Sequence, residues 1–489
     1  MNKKNILIWL IFLVIMIVSW RISQNRSLSL RFVDEEDHIA FGYYINRGYR
    51  LHEQLQNNHQ PLVYFASAVI QKIAEPENIF MLVRRHRQAM YFYGFLWSWL
   101  IIWRFRKTGL IFVLFFEFLK YYLFGNLLLL DSLAAYPAVY LFMTAIPVWF
   151  NRLIPKKIEL VWLGITTWLI TFTLIPLWPW LGAVWLALAV KLRQKIIWPI
   201  VSFSILTAIL FSYYSPLTWY HETIYNNLKY AIPALNEIRT TADRLRLLFF
   251  PFLAYFDLTS LQAKFIALFF SGWLIASLRH QRWLLLYPIL VLANTRVVEP
   301  AAVYYAGFHL LPWMGLLIGI FAFSCNQLKF KPVFFLTGLV LLFNPAMPYW
   351  FKTNLNEEYY INYSNSEDFN FAVRAIAKAD DRLAVIDNKP LLYWQSGMKP
   401  ATRQLVYYAW EPNVPELKTD YNRIFYSDNP PEIIYGDKEA QLLQEKYLNL
   451  TQDGQSTLLY IRKDRAAAIT PEQWKALSTR RFFPNNNPK

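Results

Sequence analysis

Carboxylates and imidazoles are concentrated between Arg31 and Phe65, directly after the first long apolar run of the chain. Consecutive acidic and imidazole side chains occupy Asp34, Glu35, Glu36, Asp37 and His38. If this stretch begins a helix, positions 34, 37 and 38 share one face. A carboxylate there could accept a proton from a hydroxyl group, with a nearby histidine or arginine tuning its basicity. Acidic residues also complement the dipole of a first helical turn, so spacing alone leaves a catalytic and a structural interpretation open.

Imidazoles further along the same stretch raise the question of a metal ion. His59 precedes Pro61, which suits the first residue of a helix. The His59 side chain could bind a phosphate oxygen or a metal ion, or it could be an ordinary loop histidine. His38 and His52 keep a divalent metal site open, but no HxxxH or HExxH spacing supports one. We therefore predict no cofactor, and a divalent metal is left open.

Asp131 is the other carboxylate that the sequence singles out. It lies in LLLLDSLAAYP, at one end of an apolar run, and it has no basic residue nearby in sequence. Placing a carboxylate in such apolar surroundings costs free energy, and such carboxylates are usually functional. Glu117, by contrast, has Lys120 close by in sequence, and we interpret these two side chains as a structural ion pair. A functional role is therefore favoured for Asp131.

Several cations lie at the ends of apolar runs on the same predicted side as these acids. Arg84, Arg85 and Arg87 precede the second long apolar run, and Arg296 and His309 occur much later. Arginine binds phosphate well because its guanidinium donates parallel hydrogen bonds. Arginine is also an ordinary anchor at a membrane interface, so residue type alone makes each arginine structural by default. His309 lies within an apolar run, which favours function.

Composition predicts a polytopic membrane protein that must position these groups. The 489 residues are 56% hydrophobic and 18% aromatic, too apolar for a soluble protein of this length. The net charge of +16 does not predict a nucleic-acid partner, because much of the Lys and Arg lies in short turns between apolar runs. The lipid bilayer is the expected partner. Cys325 is the single cysteine, so a disulfide within the chain is impossible.

Apolar runs long enough to approach the roughly 20 residues of a membrane span recur about eleven times. The candidate spans are 5–20, 88–103, 109–125, 131–150, 159–177, 180–190, 196–213, 264–278, 283–294, 305–325 and 331–348. Alternate turns between them are basic and lack acidic residues, which places them and the N-terminus in the cytoplasm. Segment 21–87 is then an outside loop. Segments 60–74 and 245–256 are predicted interfacial helices.

From Phe351 onwards the apolar runs shorten and charges intersperse. The pattern predicts helices at 367–380 and 438–450 and strands at 382–387, 423–428, 432–436 and 456–464. We therefore divide the chain into a transmembrane catalytic domain, 1–350, and a small soluble α/β domain, 351–489, outside the cytoplasm.

These motifs together resemble those of the GT-C glycosyltransferases, in particular the group containing protein O-mannosyltransferases and aminoarabinose transferases. An Asp-Glu pair follows the first span as DExxxxA, the outside loop continues to NxxPLxY, and a second acid opens a later span. The matching residues are Asp34, Glu35, Ala40, Gly48, Asn58, Pro61, Leu62, Tyr64, Arg87, Asp131 and the run from His309 to Pro312. The chain departs from the pattern at Gln60, where many relatives have proline.

The resemblance implies an inverting transferase that takes a sugar from a polyprenyl-phosphate donor outside the cytoplasm. By this resemblance Asp34 is the base that deprotonates the acceptor hydroxyl, Glu35 supports it, and Asp131 orients the acceptor or the base. The predicted ligands of the donor phosphate are Arg87, His309 and His59. His38 and His52 are left without a role. A glycan, a lipid and a protein all remain open as acceptor, and a bacterial plasma membrane is the expected location.

Two other functions compete with this prediction. A transporter or flippase would usually show repeated halves and charges near the middle of the membrane. We find no such repeat, and the acids gather at one predicted face. A non-catalytic membrane scaffold would explain the C-terminal domain but not the acidic loop.

Overall fold

The computed structural model describes residues 3–28, 30–150, 155–236, 240–294, 296–301, 304–325, 331–343, 357–408 and 410–485. The N-terminal helices are α1 (Lys3–Arg26), α2 (Val33–Asn46), α3 (Leu62–Ala74), α4 (Ile79–Phe105), α5 (Lys107–Leu119), α6 (Leu130–Trp149), α7 (Lys157–Thr171), α8 (Trp178–Leu192), α9 (Ile197–Leu210), α10 (Pro216–Tyr220), α11 (Ile232–Asn236), α12 (Thr241–Leu253), α13 (Leu261–Arg279), α14 (Tyr287–Leu292), α15 (Leu311–Ser324) and α16 (Lys331–Phe343). Short 3₁₀ segments are Lys120–Tyr122, Ile175–Leu177, Arg193–Ile196, Gln281–Leu286, Tyr304–Leu310 and Glu411–Asn413, and π-helical turns are His221–Tyr225 and Asn227–Ala231.

Within the described residues, 5 helical stretches are long and apolar enough to cross a membrane. They are Asn5–Arg26, Leu130–Trp149, Ile175–Leu210, Leu261–Arg279 and Gly307–Ser324. Shorter apolar helices cover Leu62–Ala74, Gln281–Leu292 and Pro332–Phe343. The predicted spans fall largely on helix, with 344–348 outside the described residues. The helical membrane class with a small C-terminal sheet is confirmed, whereas the count of about eleven spans stays a prediction.

Helices α6 and α15 form the centre of the helical part. The apolar windows of these two helices are 83% and 89% buried, compared with 33% for the stretch Ile175–Leu210. The backbones of α6 and α15 approach closely, because a Cβ added at Gly315 would lie 2.7 Å from Val139 Cγ2. Asp131, in the first turn of α6, is therefore attached to one of the most buried helices of the described bundle.

The C-terminal part contains one six-stranded mixed sheet of order β2-β1-β3-β5-β4-β6. Its strands are β1 (Arg382–Val385), β2 (Lys399–Pro400), β3 (Ile433–Tyr435), β4 (Tyr447–Gln452), β5 (Gln455–Arg462) and β6 (Phe482–Pro484). Strand β1 pairs in parallel with β2 and β3, and the remaining pairs are antiparallel. Its helices are α17 (Glu357–Ile376), α18 (Leu391–Ser396), α19 (Pro415–Phe425), α20 (Ala440–Lys446), α21 (Lys463–Ala467) and α22 (Pro471–Ser478).

Two of the C-terminal predictions are wrong in part. Residues 423–428 were expected as a strand, but α19 runs to Phe425 because Tyr421 and Phe425, one helical turn apart, both pack on the sheet. The helix expected at 438–450 ends at Lys446, and the chain continues as β4. The strands expected at 382–387, 432–436 and 456–464 and the helix at 367–380 are confirmed in their cores.

Helix α2 packs against the C-terminal part as well as against the helical bundle. The Tyr44 hydroxyl donates to the Met398 carbonyl at 2.6 Å, and Arg47 Nη1 donates to the Gly397 carbonyl at 2.6 Å. The acidic helix is thereby covered from both sides. The division of the chain between 350 and 351 lies outside the described residues and stays a prediction.

The close approach of α2 to α3 at Gly42 generates a stability prediction. A Cβ at this position would lie 2.5 Å from Ser67 Oγ and 2.8 Å from the Ala68 backbone nitrogen. Gly42→Ala should therefore destabilise the protein by about 1–3 kcal/mol through overpacking. At the control position Gly182, in α8, an added Cβ meets nothing within 4 Å. Gly182→Ala should be neutral or stabilising by up to about 1 kcal/mol.

Thermal unfolding of the detergent-purified variants, followed by tryptophan fluorescence, measures both effects. Equal melting temperatures for Gly42→Ala and the wild type would contradict the close packing of α2 on α3.

Candidate active site

A buried ion pair fixes the first turn of α2. Arg87 in α4 and Glu35 are each 1% exposed, and Arg87 Nη2 donates to Glu35 Oε2 at 2.6 Å. Arg87 Nη1 also donates to the Ser27 carbonyl at 3.1 Å, and the Leu128 backbone N–H donates to Glu35 Oε1 at 3.0 Å. The pair therefore holds the end of α1, the start of α2 and the loop before α6 together.

Asp34 precedes this ion pair by one residue and lies near the second predicted acid. The pKa of the Asp34 carboxyl is raised to about 6, first by burial and then by the negative charge of Asp131, while the positive charge of Arg296 opposes both effects. A carboxylate with a pKa near 6 is a stronger base than an exposed aspartate yet is still largely ionised at neutral pH. Asp34 is thus suited to accept a proton from a hydroxyl group.

His309 and Arg296 lie beside Asp131. His309 Nδ1 is 3.4 Å from Asp131 Oδ2, and Arg296 Nη1 donates to the same ring nitrogen at 3.0 Å. The segment of His309 is positioned by an apolar cluster that contains Phe308 and the residue before α2, Phe32. Two carboxylates and two potential cations therefore meet at one end of the bundle.

A second group of polar side chains lies next to Asp34, one turn further along α2. One potential ligand atom from each of Asp37, His38 and His59 lies within 4.8 Å of the others. Burial lowers the pKa of His38 to about 4 and the pKa of His59 well below its usual value, so both imidazoles are neutral at pH 7. Burial, followed by the charge of Asp34, raises the pKa of Asp37 well above its usual value. These residues could hold a metal ion.

The C-terminal part contributes Tyr408 and Glu411 to this region. Burial, followed by the charges of Asp37 and Asp34, raises the pKa of Tyr408 well above its usual value. Burial also raises the pKa of Glu411, and the charge of Asp37 adds to the shift. Sequence reasoning missed both residues because they are distant in sequence. The aromatic run YYAW around Tyr408 was the available signal.

The structure thus brings together most of the predicted site residues. Asp34, Asp131 and His309 lie at one site, and His59 is close enough for His309 to influence its pKa. Glu35 and Arg87 pair with each other instead of facing that group as separate ligands. The functional roles of all six residues stay predictions. The pair Glu117–Lys120 is confirmed, with Lys120 Nζ 2.6 Å from Glu117 Oε2.

The fold of the chain resembles the GT-C fold. The chain is similar to two crystal structures of ArnT, an aminoarabinose transferase, from Cupriavidus metallidurans. The apo structure has a TM-score of 0.53 and 11% identity, covering 94% of this chain and 98% of that chain. The structure bound to undecaprenyl phosphate has a TM-score of 0.52 and 10% identity. That match covers 93% of this chain and 97% of the ArnT chain. No family profile and no curated protein matches the sequence. The resemblance to the GT-C fold is thereby confirmed.

The buried ion pair yields a further stability prediction. Arg87→Ala leaves the Glu35 carboxylate buried without its guanidinium, which should cost about 3–5 kcal/mol of unfolding free energy. Arg84→Ala, one helical turn earlier and exposed, is the matched control and should change stability by less than about 0.5 kcal/mol. Chemical denaturation in detergent measures both changes. The double variant Arg87→Ala/Glu35→Gln should regain part of the lost unfolding free energy. An Arg87→Ala protein as stable as the wild type would contradict the structural role of the pair.

Proposed function

We propose that the protein is an inverting glycosyltransferase that moves a sugar from a polyprenyl-phosphate donor to an acceptor hydroxyl outside the cytoplasm. The observation that carries this proposal is the partly buried carboxylate of Asp34, with its raised pKa, beside Asp131 and Arg296. The similarity to ArnT supports it, because one of the ArnT structures contains undecaprenyl phosphate. The sugar is left open, and the acceptor is a glycan, a lipid or a protein.

The proposed chemistry is a direct displacement at the anomeric carbon. The Asp34 carboxylate removes the proton of the acceptor hydroxyl as that oxygen forms the new bond to carbon. The bond between the anomeric carbon and the phosphate oxygen breaks, and its electron pair leaves with the polyprenyl phosphate. Asp131 orients the acceptor and keeps Asp34 basic through its own negative charge. Because the attack comes opposite the leaving group, the configuration inverts.

Arg296 and His309 are the better placed ligands for the departing phosphate. Arg296 is partly exposed and acts electrostatically on Asp34, and His309 lies within 3.4 Å of Asp131. Arg87 is 1% exposed and pairs with Glu35. We therefore assign the Arg87–Glu35 pair to positioning α2, and we assign phosphate binding to Arg296 and His309. A cation there would stabilise the negative charge that develops on the leaving oxygen.

Exposed apolar faces around the site favour access from the lipid phase. In α3, Val69 and Ile73 are 56% and 79% exposed, and in α12 Leu245 and Phe249 are 54% and 57% exposed. Such faces on short helices suit the interface of a membrane, where a polyprenyl chain would enter. The basic turns of the sequence support an orientation with the N-terminus in the cytoplasm and the site outside it. A bacterial plasma membrane fits this arrangement.

Replacing the proposed base gives the first test of function. Asp34→Asn should lower transfer from polyprenyl-phosphate sugars by at least about 10²-fold, because the amide cannot accept the hydroxyl proton. Glu77→Gln is the matched control, since Glu77 is an exposed carboxylate before α4 and should leave transfer unchanged. Sugar release and product formation are measured with the detergent-purified protein. Robust transfer by Asp34→Asn would show that Asp34 is not the base. A wild-type protein that is inactive with every donor would favour a scaffold or a transporter.

The raised pKa of Asp34 predicts that transfer depends on pH, and that replacing a charged neighbour of Asp34 shifts this dependence in a defined direction. Transfer should rise as the pH passes about 6, because Asp34 acts as a base only when ionised. Asp131→Asn should move this rise to lower pH, since the Asp131 charge raises the pKa of Asp34. Arg296→Gln should move it to higher pH, since the guanidinium lowers that pKa. Profiles of kcat/KM for the three proteins measure these shifts, and identical profiles would contradict the assignment.

A further inference from the structure

Polar side chains that the proposed displacement does not use converge next to the proposed base. They are Asp37, His38, His59, Tyr64 and Tyr408, and all of them are buried or half-buried. One potential ligand atom from each of Asp37, His38 and His59 lies within 4.8 Å of the others, and the rings of His38 and Tyr64 are 5.4 Å apart. Within the part of the chain that the structure describes, Asp37 Oδ1, His38 Nε2, His59 Nδ1 and both tyrosine hydroxyls make no hydrogen bond of normal geometry. Buried polar atoms without partners are costly, so such a group indicates a polar molecule that binds there.

The C-terminal part contributes Tyr408 to this group. The Tyr408 backbone N–H donates to Glu411 Oε2 at 2.9 Å, and the Tyr408 ring stacks on Trp410 with their centroids 6.3 Å apart. These contacts bring the Tyr408 hydroxyl close enough to the Asp37 carboxyl to interact with it. Helix α2 and the C-terminal part therefore line the same set of polar atoms.

The hydrogen bonds already present fix what each side chain can still offer. His38 Nδ1 donates to the Leu128 carbonyl at 2.8 Å, so Nε2 keeps its lone pair and accepts. Asn57 Nδ2 donates to Asp37 Oδ2 at 3.0 Å, which leaves Oδ1 to carry a proton. Burial, followed by the charge of Asp34, raises the pKa of Asp37 well above its usual value, so this oxygen can donate. A neutral group of donors and acceptors suits hydroxyl groups, whereas a phosphate or a carboxylate would need cations.

The spacing of these atoms also fits hydroxyl groups. An oxygen about 2.8 Å from two partners, at a tetrahedral angle, holds those partners about 4.6 Å apart. The atoms of Asp37, His38 and His59 lie within 4.8 Å of one another, in agreement with that geometry. Asp37 also follows Asp34 after a rise of about 4.5 Å along the helix. Neighbouring hydroxyls of one sugar ring can therefore reach both carboxyls.

We propose that the acceptor is a neutral carbohydrate whose reacting hydroxyl lies at Asp34. Asp37, His59 and Tyr408 bind the neighbouring hydroxyls of the same sugar ring. This inference rests on the proposed function and narrows its acceptor from a glycan, a lipid or a protein to a glycan. The binding residues orient the ring and take no part in the proton transfer.

The position of the phosphate-binding residues assigns this group to the acceptor rather than to the transferred sugar. His309 lies against Asp131 of α6, and Arg296 lies against His309. The departing phosphate is assigned to these two cations, and in an inverting displacement the acceptor attacks opposite that phosphate. Asp34, the base for the acceptor hydroxyl, is instead followed on α2 by Asp37, so the acceptor ring extends along α2 towards Tyr408.

Binding of a carbohydrate is measured on the full-length protein without any donor, so that turnover is not required. The probes are the methyl glycosides of glucose, galactose and mannose, titrated by saturation-transfer NMR in a detergent that contains no sugar. We expect binding by the wild type, weakened about 3- to 10-fold in Tyr408→Phe through the loss of one hydrogen bond. Tyr426→Phe is the matched control, since Tyr426 is an exposed tyrosine of the same C-terminal part, and it should bind normally.

Two substitutions of Asp37 test its role as a hydrogen-bond donor. Asp37→Asn keeps a donor at this position and should bind the glycosides within about 3-fold of the wild type. Asp37→Ala removes the donor and should bind at least about 10-fold more weakly. Melting curves confirm that both proteins are folded. Equal losses in Asp37→Asn and Asp37→Ala would overturn this role.

Transfer assays separate the acceptor from the transferred sugar. With radiolabelled polyprenyl-phosphate hexoses and pentoses, Tyr408→Phe should raise the KM for the methyl glycoside and leave the KM for the donor unchanged. A raised KM for the donor alone, or transfer to a threonine peptide or a diacylglycerol but to no glycoside, overturns the proposal. A wild type that binds no glycoside, with water alone at the site, also overturns it. Glycoside binding by a protein that transfers sugar from no donor would instead refute only the proposed function.

Discussion

The buried pair of Arg87 and Glu35 is the constraint on which the site depends. The free-energy cost of removing two charges from water is offset only when their hydrogen-bonding partners are in place. Here those partners include the carbonyls of Ser27 and Leu30 and the backbone N–H of Leu128. The first turn of α2 consequently has one favourable position relative to α1, α4 and the loop before α6. That position delivers Asp34 to the acidic pair, while Asp37 and His38 follow one turn later on the same helix.

The backbone of Leu128 connects the Arg87–Glu35 pair to His38. Its N–H donates to Glu35 Oε1, and its carbonyl accepts from His38 Nδ1. Leu128 lies shortly before Asp131, so backbone contacts help to set the separation of the Asp34 and Asp131 carboxylates. Side chains of Phe32 and Phe308 pack across the same loop and bring His309 into place. A site fixed by backbone and packing needs little reorganisation when charge develops on a substrate.

Local signals in the sequence predicted much of the fold, and long-range contacts explain what they missed. Apolar runs and basic turns located the helices of the bundle, and the Asp-Glu pair located the start of α2. The hairpin of β4 and β5 was missed, although Asp453 and Gly454 both adopt positive φ, as an Asp-Gly turn favours. Neighbours from distant segments decide which acid is buried and which is paired, so spacing could not distinguish Asp34 from Asp37. Tyr408 was missed because its neighbours at the site are distant in sequence.

The C-terminal part packs against α2, the helix that carries Asp34. Burial is the largest cause of the raised pKa of Asp34, and part of the cover of α2 comes from the C-terminal contacts of Tyr44 and Arg47. A lower local dielectric strengthens the interactions of Asp34 with Asp131 and Arg296, because charge–charge energies scale inversely with the dielectric constant. A helix that lies outside the membrane, such as α2 in the proposed orientation, would otherwise face water on one side. The C-terminal contacts of Tyr44 and Arg47 close part of that side.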